Sequence, residues 1–192
     1  MNNPHDIAVV EELTDVLNSL HIAYAIGGSM ASAAYGVVRF TQDADITVEP
    51  FSQSAGKFYA ALKDDFYISE QAMQEALRNR SSFNIIHLAT AFKIDMFVQA
   101  ENAFQKQMLL RSRKLQLGEI KKDVSFVSPE DIILLKLDWY NQSGRSSERQ
   151  WSDVIGVLAA QADTLDYDYL RQWAKNLTIE MLFQKAMDEV CG

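Results

Sequence analysis

The sequence predicts an α+β fold, a short mixed β-sheet with flanking helices followed by a C-terminal helical bundle. Three observations predict it. Short β-branched and aromatic runs are interleaved with amphipathic segments through residues 1–127. Gly27-Gly28-Ser29 punctuates the change from one such run to a helical segment. From Ser128 onward every periodic segment is helical. The chain accordingly divides into residues 1–127, which carry the sheet, and the helical residues 128–192.

Ile7, Val10, Leu13, Leu17 and Leu20 recur at intervals of three and four with acids between them, which predicts an amphipathic opening helix. Ala23 to Ile26 reads as a short buried strand, and Ser29 as the cap of a helix over Met30 to Tyr35. A strand from Asp45 to Glu49 is stopped by Pro50. Helices follow over Phe51 to Leu62 and Glu70 to Arg80. Phe83 to Leu88 and Phe92 to Val98 read as neighbouring strands of a hairpin around Ala89-Thr90-Ala91. Ala100 to Arg113 reads as helix and Val124 to Val127 as the last strand.

Ser128-Pro129-Glu130-Asp131 combines an N-cap, a proline at the first helical position and acids in the first turn, so a helix runs from there to about Tyr140. Asn141 to Ser147 is a loop. Trp151, Val154, Ile155 and Leu158 mark one face of the next helix, and helices over Tyr167 to Lys175 and Ile179 to Val190 close the chain. Trp139, Tyr140 and Trp151 read as packing residues of these helices rather than as a stacking platform.

Composition narrows the function classes. Hydrophobic residues make up 48% and charged residues 23%, the balance of a globular protein. The net charge is −8 and the basic clusters, such as Arg111 to Lys114, are short, which disfavours an extended nucleic-acid track. The single cysteine, Cys191, excludes an internal disulfide and a cysteine-based zinc site. His5, His21 and His87 have no metal-ligand spacing. Asp6, Glu11, Glu12 and Asp15 interrupt the N-terminal segment, and no apolar run reaches membrane-spanning length, so the expected location is the cytoplasm, with no membrane partner.

The chemistry lies in Asp43-Ala44-Asp45-Ile46, which follows Gly27-Gly28-Ser29 after a helix-length interval. Alternation along a strand puts Asp43 and Asp45 on one face, their Cα atoms about 6 to 7 Å apart, where two carboxylates can hold hard divalent cations. Gly27, Gly28 and Ser29 offer backbone N–H groups, a hydroxyl and a helix N-terminus, all suited to triphosphate oxygens. Asp95 stands in Phe92-Lys93-Ile94-Asp95-Met96-Phe97-Val98, read as an otherwise apolar strand, where an acid needs a partner, and a metal shared with Asp43 and Asp45 would supply one. Two such metal ions about 3.5 to 4 Å apart would then activate an acceptor hydroxyl and stabilise departing pyrophosphate, with Asp95 as general base or third ligand.

These residues resemble the polymerase-β-like nucleotidyltransferase superfamily. Its signature is matched by Ile26-Gly27-Gly28-Ser29, thirteen residues from Met30 to Gln42, Asp43-Ala44-Asp45-Ile46, and the later Ile94-Asp95-Met96. Within it, Gly36-Val37-Val38-Arg39-Phe40-Thr41-Gln42-Asp43 is similar to the abortive-infection toxin-like branch of type IV toxin–antitoxin pairs. So are Ser128-Pro129-Glu130-Asp131-Ile132 with Lys136, and Arg149 with Asp153-Val154. The resemblance implies a catalytic domain over residues 1–127 and transfer of a nucleoside monophosphate from a nucleoside triphosphate to a hydroxyl. The acceptor class is left open among a protein, a small RNA end and a small molecule. An antitoxin is an implied partner if the branch applies.

Other readings stand beside these. Arg39 is either a phosphate contact or a solvated loop cation, and Thr41 fixes the local turn. Lys136 lies on a helix apolar nearly all round and needs a cleft or an acid; a triphosphate contact competes with snorkelling to solvent. Asp153, one turn beyond Arg149, either forms an exposed ion pair with it or serves the nucleotide site. As a whole, the chain is either an enzyme, a catalytically silent nucleotide-binding scaffold, or the toxin of a toxin–antitoxin pair.

Overall fold

A computed structural model describes residues 4–36, 41–117 and 122–191. The element order is α1 (Pro4–Ser19), β1 (Tyr24–Ile26), α2 (Gly28–Tyr35), β2 (Asp43–Val48), α3 (Ala55–Leu62), β3 (Phe66–Ile68), α4 (Glu70–Asn79), β4 (Ser82–His87), β5 (Lys93–Val98), α5 (Ala103–Leu110), β6 (Arg113–Leu117), β7 (Lys122–Phe126), α6 (Pro129–Gln142), α7 (Glu148–Gln161), α8 (Tyr167–Asn176) and α9 (Glu180–Cys191). The fold is α+β, as the sequence predicts, and the sheet is larger than expected.

The chain forms two compact units. The first holds α1, α3, α4, α5 and all seven strands, in the order β3-β4-β5-β2-β1-β7-β6. The sheet is mixed: β2 runs parallel to β5 and β1 parallel to β7, while the other neighbouring pairs are antiparallel. Its core is filled by alternate strand residues, among them Ala44, Ile46, Val48, Ile94, Met96 and Val98, together with Val10, Leu13 and Leu17 of α1 and Phe58 and Leu62 of α3. The predicted hairpin is present, with Ile85 opposite Ile94, and His87 Nδ1 lies 2.9 Å from the Thr90 hydroxyl in its turn.

Several boundaries differ from the expectations. β2 begins at Asp43 rather than Asp45, so both acids lie within the strand. The helix expected over Ala100 to Arg113 ends at Leu110, and Arg113 opens the unpredicted strand β6. β6 is an edge strand whose Arg113, Lys114 and Gln116 are exposed, so it carries charge where a buried strand would carry an apolar stripe. β3, three residues long at the opposite edge, is likewise unpredicted.

The second unit contains α2 and α6 to α9. Here α2 packs on α6 and α7, and α6 on α7, α8 and α9. The start of α6 follows the predicted signal: the Ser128 hydroxyl accepts from Asp131 N at 3.1 Å, and Pro129 occupies the first turn. Glu130 and Asp131 are both buried and bonded. Asp131 accepts from the Ser128 hydroxyl at 2.7 Å and from the Tyr169 hydroxyl at 2.6 Å, and Glu130 accepts from Asp166 N at 3.2 Å. Tyr140 and Trp151 pack with ring centres 5.3 Å apart, whereas Trp139 is 59% exposed rather than a packing residue. Among the described residues no helix is long and apolar enough to cross a membrane.

Candidate functional site

The parallel register of β2 and β5 places Asp43 opposite Lys93 and Asp45 opposite Asp95. Partnered residues of neighbouring strands project to the same face, about 4.8 Å apart. Burial alternates strictly along both strands: Ala44, Ile46, Ile94 and Met96 are buried on one face, and Asp43, Asp45, Lys93 and Asp95 are partly exposed on the other. The three acids are thus brought together on one sheet face.

Each acid is held differently. The buried Thr41 hydroxyl lies 2.9 Å from Asp43 Oδ1 and 3.0 Å from its carbonyl oxygen, fixing the entry into β2. Gly27 N donates to the Asp45 carbonyl oxygen at 2.8 Å, tying the end of β1 to the middle of β2. Asp95 is engaged through both oxygens by Lys93, whose Nζ lies 2.8 Å from Oδ1 and 2.9 Å from Oδ2. The partner that an acid in this apolar strand requires is therefore Lys93. The hydrogen bond to Asp95 raises the Lys93 ammonium above its usual range; partial desolvation opposes this, and the charges of Asp95, Asp43 and Asp45 add to it.

Three carboxylates on one face match the oxygen-donor chemistry of Mg2+. As the side chains stand, no three of the described His, Cys, Asp and Glu residues form a metal-ligating group. The donor set fits the ion, while the Asp95 carboxylate is turned to an ammonium.

The second unit holds the remaining expected residues except Gly27 and Arg39; Arg39 lies outside the described residues. Gly28 has φ +53°, a left-handed conformation that favours glycine, and α2 begins there. Ser29 is inside the first turn rather than capping it, and its hydroxyl accepts from Arg149 Nη2 at 2.8 Å. Lys136 is 5% exposed, so it does not snorkel; its Nζ lies 2.8 Å from Asp153 Oδ2 and donates to Gln150 Oε1 at 2.8 Å. Asp153 accordingly forms a buried pair with Lys136, not the exposed pair with Arg149 that helical spacing allows. Buried Lys136 requires an acid, whereas Arg149 is exposed and bonded to Ser29.

Sequence reasoning passed over Lys93 and offered Arg149 the partner Asp153 rather than Ser29. Lys93 was legible from alternation, being two residues before Asp95 on the same face. Arg149 meets a residue 120 positions away, a distance at which no local signal operates.

The fold is nucleotidyltransferase-like. The chain resembles the antibiotic-resistance factor ANT(2'')-Ia in complex with adenylyl-2''-tobramycin, with a TM-score of 0.59 and 12% identity over 90% of this chain and 96% of that one. It also resembles an antigenic nucleotidyltransferase-like protein from Paracoccidioides brasiliensis (TM-score 0.56, 16% identity, 95% and 92% covered). A further match is the putative nucleotidyltransferase TM1012 from Thermotoga maritima (TM-score 0.52, 15% identity, 80% and 96% covered). At such identities the likeness establishes the fold. No family model and no curated protein matches the chain.

Proposed function

We propose that the protein is a Mg2+-dependent nucleotidyltransferase that moves a nucleoside monophosphate from a nucleoside triphosphate to an acceptor hydroxyl, releasing pyrophosphate. The observation that carries this reading is the pairing of Asp45 with Asp95 across β2 and β5, with Asp43 on the same face. Asp43, Asp45 and Asp95 are the residues that would hold the metal, two ions in all, and bound Mg2+ would neutralise charge developing on the phosphoryl and pyrophosphate oxygens. Asp95 accepts the proton of the attacking hydroxyl. Thr41 keeps the Asp43 carboxylate oriented. Gly27, Gly28, Ser29, Arg39 and Lys136 serve the triphosphate, and Asp153 holds Lys136 in place.

The adenylylated small molecule bound to ANT(2'')-Ia supports nucleotide transfer and a small-molecule acceptor. A protein and a small RNA end remain open as acceptors. The toxin assignment is the finer reading, supported by Arg39-Phe40-Thr41-Gln42-Asp43 and Ser128-Pro129-Glu130-Asp131; a neighbouring antitoxin gene and growth arrest on expression are its tests. The single cysteine accords with a cytoplasmic, reducing setting.

One observation favours a silent scaffold instead: Asp95 already has a cation in Lys93. Incubation with each labelled nucleoside triphosphate, Mg2+ and fractionated cell RNA, protein and metabolites decides between them. Label entering one fraction identifies the acceptor class; no transfer from any triphosphate leaves the scaffold.

A further inference from the structure

We propose that Lys93 is a built-in counter-cation of the carboxylate face, which a divalent ion must displace from Asp95 in order to bind. The inference rests on the metal-dependent reading above and assigns a control element to that site.

Lys93 lies on the same face as the acids, opposite Asp43 in register and two residues before Asp95. Its Nζ is within 2.9 Å of both Asp95 oxygens, so a divalent ion approaching either oxygen meets a like charge already bound there. Without a cation, three carboxylates on one face repel one another, and a single ammonium offsets part of that repulsion. The Lys93 side chain is 44% exposed against 18% for Asp95, so the lysine has solvent to move into while the carboxylate stays in place. A flexible four-carbon stem permits that movement without backbone change.

Two consequences follow from charge alone. An ion arriving at Asp95 must break the Lys93 contact and then sit near the released ammonium, so Lys93 weakens binding of the bare metal. A triphosphate adds negative charge that compensates the released ammonium, so metal and nucleotide bind better together than apart. The pair of Lys93 and Asp95 thereby favours the metal–nucleotide complex over the free ion.

The test is calorimetric titration of Mn2+ into the full chain, wild type against Lys93→Met and Lys93→Arg, with melting curves confirming that each variant is folded. Lys93→Gln substitutes if Lys93→Met fails to fold. Lys93→Met is expected to bind Mn2+ on the order of tenfold more tightly than wild type, and Lys93→Arg, which retains the charge, to stay close to wild type. Equal or weaker binding by Lys93→Met overturns the inference and leaves the metal site standing. Binding by none of the proteins removes the metal site itself, and the inference with it.

Discussion

Lys136 and Asp153 form an ion pair at 2.8 Å in which both side chains are almost closed off from solvent, 6% and 8% exposed. Such a pair costs more to break than it is worth intact, because removing one partner strands the other charge in a poorly solvated place. Asp153→Ala and Lys136→Met should each destabilise by about 3–5 kcal/mol, whereas Lys136→Met combined with Asp153→Leu should recover most of the loss. Urea denaturation of the four proteins reads this directly; single losses below about 1 kcal/mol would show that solvent reaches the pair.

Gly36, just after α2, leaves no room for a side chain. A Cβ there would lie 2.9 Å from Gly156 C and from Val157 N, main-chain atoms of α7 that cannot swing aside. Gly36→Ala should therefore cost about 1–3 kcal/mol by forcing the end of α2 from α7. Gly56, in α3, has nothing within 4 Å of the added carbon, and Gly56→Ala should be neutral or stabilise by up to about 1 kcal/mol. The two alanines melting alike would discard this account.

The start of α2 makes a prediction about ligand affinity. Gly28→Ala forces a side chain into φ +53°, at about 1–2 kcal/mol, and Ser29→Ala removes the acceptor that Arg149 uses. If these residues serve a triphosphate, both variants should bind it several-fold more weakly by calorimetry. Unchanged affinity in both would take them out of the site.

Asp43→Asn separates enzyme from scaffold. The amide keeps the shape of the carboxylate and removes one of three like charges, so the fold should be intact or slightly more stable without metal. Transfer should be lost. Mg2+ should raise the melting temperature of the wild type more than that of the variant, since a ligand bound only by the native state stabilises by mass action. Equal responses, with no transfer by either protein, would leave only the scaffold.

The carboxylate face was readable because period-two alternation is a local property: Asp43 and Asp45 share a side whatever surrounds them, and Asp95 interrupts an apolar strand conspicuously. The α6 start was readable for the same reason, its cap and proline being adjacent in sequence. β6 was not, because an edge strand of Arg113, Lys114 and Gln116 buries too little to leave a periodic signal. Helical spacing offered Asp153 the partner Arg149, one turn away. The choice of Lys136 was made by burial, which depends on how α6 and α7 pack.

The parallel pairing of β2 with β5 also governs how the chain can fold. A parallel pair cannot be closed by a tight turn, and here the connection from residue 49 to residue 92 carries α3, β3, α4 and β4. Loop-closure entropy is spent on that segment before any β2–β5 contact repays it, so the acidic face requires the whole stretch from β2 to β5 and has no counterpart in a shorter fragment. The alternation that creates the face also guards its alignment. A slip of one residue between the strands would drive Asp45 or Asp95 into the core and bring Ile46 or Ile94 out, so competing registers are suppressed by the same acids that the aligned register displays.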